Sequence, residues 1–114
     1  MTKLAKLISQ MEGFGKPGAV PATHHNPGDL RHSPHSQHGS DPNGIGQIDT
    51  DADGWADLER QLQLYAQRGL TLRQAIAQFA PPTENDTRGY LEFIAQGLGV
   101  SGDTPVSAVL TIAA

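Results

Sequence analysis

The stretch TDADGWADLERQLQLYAQRG, residues 50–69, carries the clearest secondary-structure signal in the chain. Thr50 followed three residues later by Asp53 forms a pattern similar to a capping box, and Gly69 is a typical helix stop. Between these signals the apolar side chains recur at helical spacing, and they are Trp55, Leu58, Leu62 and Tyr65. The stretch therefore predicts an amphipathic helix that turns one face towards a core.

Four further helices are predicted around this one by the same signals. Their spans run from Thr2 to Gly13, from Thr71 to the residue before Pro81, from the end of a turn at 83–86 to Gly99, and onward from Thr104 and Pro105. Residues 15–47 have no apolar periodicity and are rich in glycine, proline, histidine, serine and asparagine. We expect one long irregular loop there, with room for a small hairpin. Loops of this length inside compact domains are usually functional or disordered.

The composition sets limits on the fold and on the partners. The 114 residues fit one mainly α domain, 1–114, of about five helices. No cysteine is present, which excludes disulfides and thiolate metal sites, and the formal net charge of -4 argues against a nucleic-acid partner. No apolar run reaches the roughly 20 residues of a membrane span, and the first dozen residues lack the apolar stretch of a signal peptide.

Glu12 is the main candidate for chemistry. It follows Ile8 by four residues and Leu4 by eight, so it lies at the edge of the apolar stripe and near the C-terminus of its helix. Partial burial and the negative end of the helix dipole both disfavour the charged carboxylate, and a raised pKa is what a general acid requires. An isolated glutamate at a helix end is more often an ordinary surface residue. The surrounding motifs decide between a general acid and an ordinary surface residue.

Several short blocks occur in an order that resembles a known superfamily. They are Met11-Glu12-Gly13, Asn26-Pro27-Gly28-Asp29-Leu30-Arg31, Gly44-Ile45-Gly46-Gln47-Ile48, Gly54-Trp55-Ala56-Asp57-Leu58, and Ala80 to Thr87 followed by Tyr90. Up to about Val100 the chain resembles the lysozyme-like superfamily. It is most similar there to short phage- and prophage-encoded domains related to lytic transglycosylases and goose-type lysozymes.

This resemblance implies a peptidoglycan glycan strand as substrate and no cofactor or metal. Glu12 would serve first as acid and then as base, with the acetamido group of the substrate assisting, and an anhydro sugar would be released. The substrate-binding residues implied are Gln47, Asn85, Tyr90, Glu84, Asn26 and Arg31. Structural alternatives are a loop contact for Gln47, a helix cap for Asn85, a core position for Tyr90, an ion pair for Arg31 and a turn for Asn26.

The same resemblance implies where such a protein acts. We expect a phage virion or the host cytoplasm as its location, with action in the periplasm or cell wall, and virion or tail proteins as further partners. The chain departs from the pattern at two positions, because Gly13 stands where a serine is common and Asp29 where the phage-type domains have asparagine. Asp29 adds a carboxylate near the site. No second carboxylate at a fixed position is otherwise evident, which favours transglycosylation over hydrolysis.

Two other functions were weighed against the enzyme. The first is a virion or cell-wall binding module that keeps the groove without activity, and the presence of Glu12 favours the enzyme over it. The second is metal binding by the histidines of the loop, which are His24, His25, His32, His35 and His38. Solvated loop histidines are the more ordinary interpretation. Residues 49–54 also resemble a calcium loop, but Arg60 stands where a bidentate glutamate is required.

Overall fold

The helix predicted from residues 50–69 spans Asp51–Gln67 in the computed structural model, which describes residues 1–37, 44–83 and 85–114. Six helices lie in these ranges. They are α1 Lys3–Glu12, α2 Val20–Thr23, α3 Asp51–Gln67, α4 Leu72–Phe79, α5 Thr87–Leu98 and α6 Val106–Val109. The prediction of a mainly α fold is confirmed. Among the described residues, β-structure is limited to isolated bridges.

The predicted helix count was too low by one, because α2 lies inside the predicted loop. Pro21 stands in its first turn, and its backbone bonds run from Thr23 N to Ala19 O at 2.9 Å and from His24 N to Val20 O at 2.9 Å. A four-residue helix is too short to show apolar periodicity, and Ala19 provides no side-chain cap. Where a small hairpin was considered in the long loop, the described residues show one antiparallel bridge between Gln37 and Gln47.

Threonine and aspartate side chains begin the longer helices. Thr2, Thr50 and Thr71 each accept a hydrogen bond from a backbone N–H of the first turn, and Thr71 forms a full capping box with Gln74. Asp86 caps α5 by accepting from Gly89 N at 3.1 Å. The cap alternative for Asn85 was therefore wrong by one position.

The core forms where the apolar stripes of the helices meet. α1 packs on α3 and α5, α5 packs on α4, and α3 packs on α6. The largest fully buried apolar side chains are Leu4, Ile8, Leu58, Leu62, Leu72, Ile76, Ile94, Val106 and Val109. Burial of each such side chain contributes about 1.5–3 kcal/mol towards folding. No helix in the described ranges has the length and apolar character needed to cross a bilayer.

Close contact with α3 holds the loop after α2. A Cβ atom on Gly54 would lie far inside van der Waals distance of the His25 carbonyl oxygen, so only glycine permits this approach. Ile48 N also donates to His24 O at 2.9 Å, which joins the two ends of the segment between α2 and α3. The first turns of α3 therefore fix the loop segment that follows His25.

Candidate active site

Glu12 is the last residue of α1, as its spacing predicted. Gly13 follows as a left-handed C-cap with φ 82°, and its N–H donates to Gln10 O and Ser9 O. The chain turns away at this point, and the Glu12 side chain remains half-buried at the end of the helix. The carboxyl group therefore stands at the boundary between the core and a surface groove.

Tyr90 holds the Glu12 carboxyl from the core side. Its Oη donates a hydrogen bond to Glu12 Oε2 at 2.7 Å, and its ring packs edge-on against Phe79 with centroids 6.4 Å apart. Only 3% of Tyr90 is exposed, and burial raises the pKa of its hydroxyl far above the usual value. The phenol therefore stays protonated and acts as a fixed donor. The structure gives Tyr90 both a core position and a direct contact with Glu12.

Three effects set the pKa of Glu12. Burial raises it most, the hydrogen bond from Tyr90 lowers it, and the negative charge of Asp29 raises it again. The result is a pKa above the usual value of a glutamate. A carboxyl group of this kind keeps its proton to higher pH than a solvated one, which suits a proton donor.

Asn26 organises the loop segment that faces Glu12. Its Nδ2 donates to Leu30 O at 2.8 Å and Gly46 O at 2.9 Å, and its Oδ1 accepts from Leu30 N at 3.0 Å. The residue is fully buried and lines neither of the cavities described below. The structure thus shows the turn-shaping alternative for Asn26, while the predicted substrate contact stays a prediction without geometric support.

Asp29 follows in this turn with a left-handed backbone conformation. Its φ is 52°, and its N–H donates to Asn26 O at 3.0 Å. Aspartate and asparagine adopt this conformation more readily than other non-glycine residues. The turn therefore presents the Asp29 side chain at a defined point on the groove.

The groove consists of two adjoining cavities of about 220 and 270 Å³. The smaller one is lined by Glu12, Gly28, Asp29, Arg31, Ile45, Phe79, Ala80 and Asn85. The larger one is lined by Gly28, Asp29, Leu30, Arg31, Gln61, Tyr65, Gln78, Phe79 and Pro81. Four residues line both, so the two cavities are continuous across the Asp29 turn. Together they form a cleft that is mostly polar beside Glu12 and mixed polar and apolar in the larger cavity.

The predicted site residues are only partly brought together. Arg31 and Asn85 line the Glu12 cavity, and Asn85 Nδ2 also donates to Pro81 O at 3.3 Å. Gln47 is half-buried and lines neither cavity, and its carbonyl accepts from Gln37 N at 2.7 Å. Glu84 lies outside the described residues. Arg31 and Asn85 thus lie in the cavity with Glu12, whereas Tyr90 lines neither cavity and contacts Glu12 from the core side.

Sequence reasoning missed several residues that line the groove. The sequence predicts only an apolar helix face for Tyr65 and only a place in the helix before Pro81 for Phe79, and nothing in it distinguishes Gln61 or Gln78. Both glutamines lie on the α3 and α4 surfaces that face the loop, and only the fold shows which helix surfaces do so. Asp29 had been noted as a departure from the resembled pattern, which was a usable signal.

Two of the loop histidines, His25 and His35, pair with acidic residues of α3. His25 Nδ1 lies 2.7 Å from Asp51 Oδ1, and His35 Nδ1 lies 2.6 Å from Asp57 Oδ1. In the described parts of the chain no group of three or more histidine or acidic residues is arranged to hold a metal ion. His38 lies outside those parts.

Comparison of the chain with family models, curated proteins and solved structures finds no significant match.

Proposed function

We propose that this protein cleaves the β-1,4 bond between N-acetylmuramic acid and N-acetylglucosamine in peptidoglycan, with Glu12 as the general acid. The observation that carries the proposal is the Glu12 carboxyl itself. It is half-buried at a helix end, receives a hydrogen bond from a buried tyrosine and opens into a polar cleft. The resemblance of the surrounding motifs to lytic transglycosylases supplies the substrate.

The proposed reaction begins with proton transfer from Glu12 to the glycosidic oxygen. The bond between that oxygen and the anomeric carbon breaks, and the acetamido group of the substrate stabilises the positive charge that develops. Glu12, now a carboxylate, takes the proton of the C6 hydroxyl as this oxygen closes on the anomeric carbon. The product is a 1,6-anhydro sugar, and Glu12 regains its proton. A single carboxyl group suffices for this route.

The cleft offers contacts suited to a polar glycan. Arg31 brings five N–H donors in a fixed plane, and Asn85 brings an amide that donates and accepts. Phe79 presents an apolar surface to both cavities, which suits the C–H face of a sugar ring. Proximity within such a cleft favours the intramolecular route, because well-oriented intramolecular reactions reach effective molarities of roughly 10⁵ M or more.

The test is Glu12→Gln, assayed by release of soluble muropeptides from purified sacculi. We expect cleavage to fall at least about a hundredfold, because general acid catalysis contributes roughly 10²- to 10⁴-fold. Circular dichroism and thermal melting should stay close to those of the parent protein. Glu92→Gln is the matched control, since Glu92 is exposed on α5 and its Oε1 lies 3.3 Å from Arg88 Nε.

A Glu12→Gln protein with full activity would refute the role of Glu12. A parent protein that binds sacculi without releasing any fragment would favour the inactive binding module instead.

A further inference from the structure

Two carboxyl groups from distant parts of the chain meet in the smaller cavity. Glu12 comes from the end of α1 and Asp29 from the loop turn after Asn26, and both line this cavity. The charge of Asp29 acts on Glu12 and on the Tyr90 hydroxyl behind it. The preference for transglycosylation depended on the lack of a second carboxylate at a fixed position, and the fold supplies one.

The Asp29 turn is held firmly in place. The Asn26 side chain makes two hydrogen bonds with the backbone of Leu30 and a third with Gly46 O, and Asp29 N donates back to Asn26 O at 3.0 Å. Gly28 packs so closely on Leu58 that a Cβ atom there would come within 2.8 Å of Leu58 Cδ1. The backbone of Asp29 is thus fixed against α3, which is what a positioned catalytic group requires.

We propose that Asp29 gives this protein a second, hydrolytic activity by acting as the base that activates water in the Glu12 cavity. The inference rests on the proposed glycan cleavage and concerns how the reaction ends. Glu12 transfers its proton to the leaving oxygen, and the bond from that oxygen to the anomeric carbon breaks. A water oxygen forms the new bond to the anomeric carbon, and one water proton passes to the Asp29 carboxylate. The product is an ordinary reducing end.

The surroundings of the two carboxyl groups favour Glu12 as the acid and Asp29 as the base. Glycoside hydrolysis without a covalent intermediate uses one protonated carboxyl group as acid and one ionised carboxyl group as base. Burial raises the pKa of Glu12, and the negative charge of Asp29 raises it further, so the proton is retained on Glu12. Asp29 is half-buried with its Oδ1 enclosed, and it lines both cavities, so a water molecule reaches it through the cleft. Water and the C6 hydroxyl then compete for the same carbon.

The experiment measures the two products from one digestion in ¹⁸O-labelled water. Mass spectrometry separates reducing ends that carry one ¹⁸O from anhydro ends, which lack the added water. We expect the parent protein to give both. Because the Asp29 charge also raises the pKa of Glu12, the two products are compared as a ratio, and Asp29→Asn should lower the ratio of labelled reducing ends to anhydro ends about a hundredfold or more, as a base contributes roughly 10²- to 10⁴-fold. Asparagine also tolerates the left-handed backbone.

Two further variants make the result decisive. Asp49→Asn removes the same charge from an exposed position outside both cavities, and it should leave the product ratio unchanged. Asp29→Gly suits the positive φ and tests the role of Asp29 again if the asparagine variant folds poorly.

Three outcomes would overturn the role of Asp29 alone. They are anhydro ends only from the parent protein, an unchanged ratio in Asp29→Asn, and equal loss of both products in that variant. If the folded parent protein releases no fragments, the proposed function fails and the hydrolytic activity with it.

Discussion

At the residue scale, one hydrogen bond ties the proposed chemistry to the core. Tyr90 and Glu12 are 78 positions apart in sequence, yet the tyrosine hydroxyl lies 2.7 Å from the carboxylate oxygen. Tyr90 is itself fixed by burial on α5 and by the Phe79 ring. The orientation of Glu12 is therefore set by core packing and does not depend on the local turn at Gly13 alone.

Tyr90→Phe should shift the pH profile of cleavage. The Tyr90 hydrogen bond lowers the pKa of Glu12, so its removal raises that pKa further. A general acid must be protonated, and its activity is lost as pH rises through its pKa. The alkaline limb of kcat/KM should therefore move to higher pH. The maximum rate should fall about tenfold, since a hydrogen bond to a charged group contributes about 1.5–3 kcal/mol.

Tyr65→Phe is the control for this prediction, because Tyr65 lines the larger cavity, whereas Glu12 lines the smaller one and receives its hydrogen bond from Tyr90. It should leave the alkaline limb in place. An alkaline limb that moves to lower pH in Tyr90→Phe would contradict the assignment of that limb to Glu12.

The position of Glu12 could be predicted from sequence, but its partners could not. The spacing from Leu4 and Ile8 defines one helical face, and that is enough to place Glu12 at the edge of the stripe. Tyr90 also lies on an apolar stripe, which predicts burial but does not specify which residue its hydroxyl meets. Asn26 shows the same limit, because its three bonds reach backbone groups of residues 30 and 46.

At the scale of elements, α3 serves as the anchor of the long loop. Asp57 is only 2% exposed, and it accepts from His35 N at 2.9 Å while its other oxygen lies 2.6 Å from His35 Nδ1. Burial alone would raise the pKa of Asp57, but the hydrogen bonds it accepts outweigh burial and lower it. The hydrogen bond to Asp57 raises the pKa of His35. The pair is therefore held in its ionised form.

The contribution of this pair to stability should depend on pH. The raised pKa of His35 contributes stability to the folded state. This contribution is complete below the unfolded pKa of histidine, near 6.5, and is lost as pH rises through the higher pKa of the folded protein. The lowered pKa of Asp57 gives a second contribution to stability. This contribution is complete above the unfolded pKa of 3.8 and is lost as pH falls through the lower pKa of the folded protein. Both are complete between these limits, so His35→Gln should lower Tm more at pH 5 than at pH 9.

A double-mutant cycle with Asp57→Asn isolates this effect. The coupling between the two substitutions, measured from thermal melts, should be larger at pH 5 than at pH 9. Equal coupling at both pH values would show that the contact contributes through packing or neutral hydrogen bonds only. Asp53 also faces the ring, with its Oδ1 3.8 Å from His35 Nε2, so it stays unchanged throughout the cycle.

Helix boundaries could be predicted where a capping residue and an apolar stripe occur together. Thr71 with Gln74 is the clearest case, and the capping box is present. The sequence does not decide where α5 begins, because Asn85 and Asp86 are both good caps. The structure shows that Asp86 is the cap. α2 could not be predicted in this way, because its four residues include no capping side chain and are too few to form an apolar stripe.

At the scale of the whole molecule, net charge governs the approach to the proposed substrate. The chain has a formal net charge of -4, and stem peptides make peptidoglycan anionic through their carboxylates. The molecule measures 37 × 27 × 25 Å. At 0.01 M salt the screening length is about 30 Å, comparable to the molecule, so its full charge repels the wall. At 0.15 M this length is about 8 Å, and only charges near the cleft act.

Cleavage of sacculi should therefore increase with salt, by roughly twofold or more between 0.01 and 0.15 M, because long-range repulsion lowers the rate of encounter. Arg31 lies in the cleft itself, so its attraction to the glycan acts over a few ångströms and survives screening at 0.15 M. Glycan strands freed of their stem peptides are the matched substrate, because they keep the bond to be cleaved and carry fewer carboxylates, and their cleavage should change less over the same range. This comparison separates charge on the substrate from any effect of salt on the protein. Initial rates at four salt concentrations suffice for both substrates. A steady fall in sacculus cleavage from 0.01 M upward, with cleavage of the peptide-free strands little changed, would mean that local attraction at the cleft outweighs the net charge.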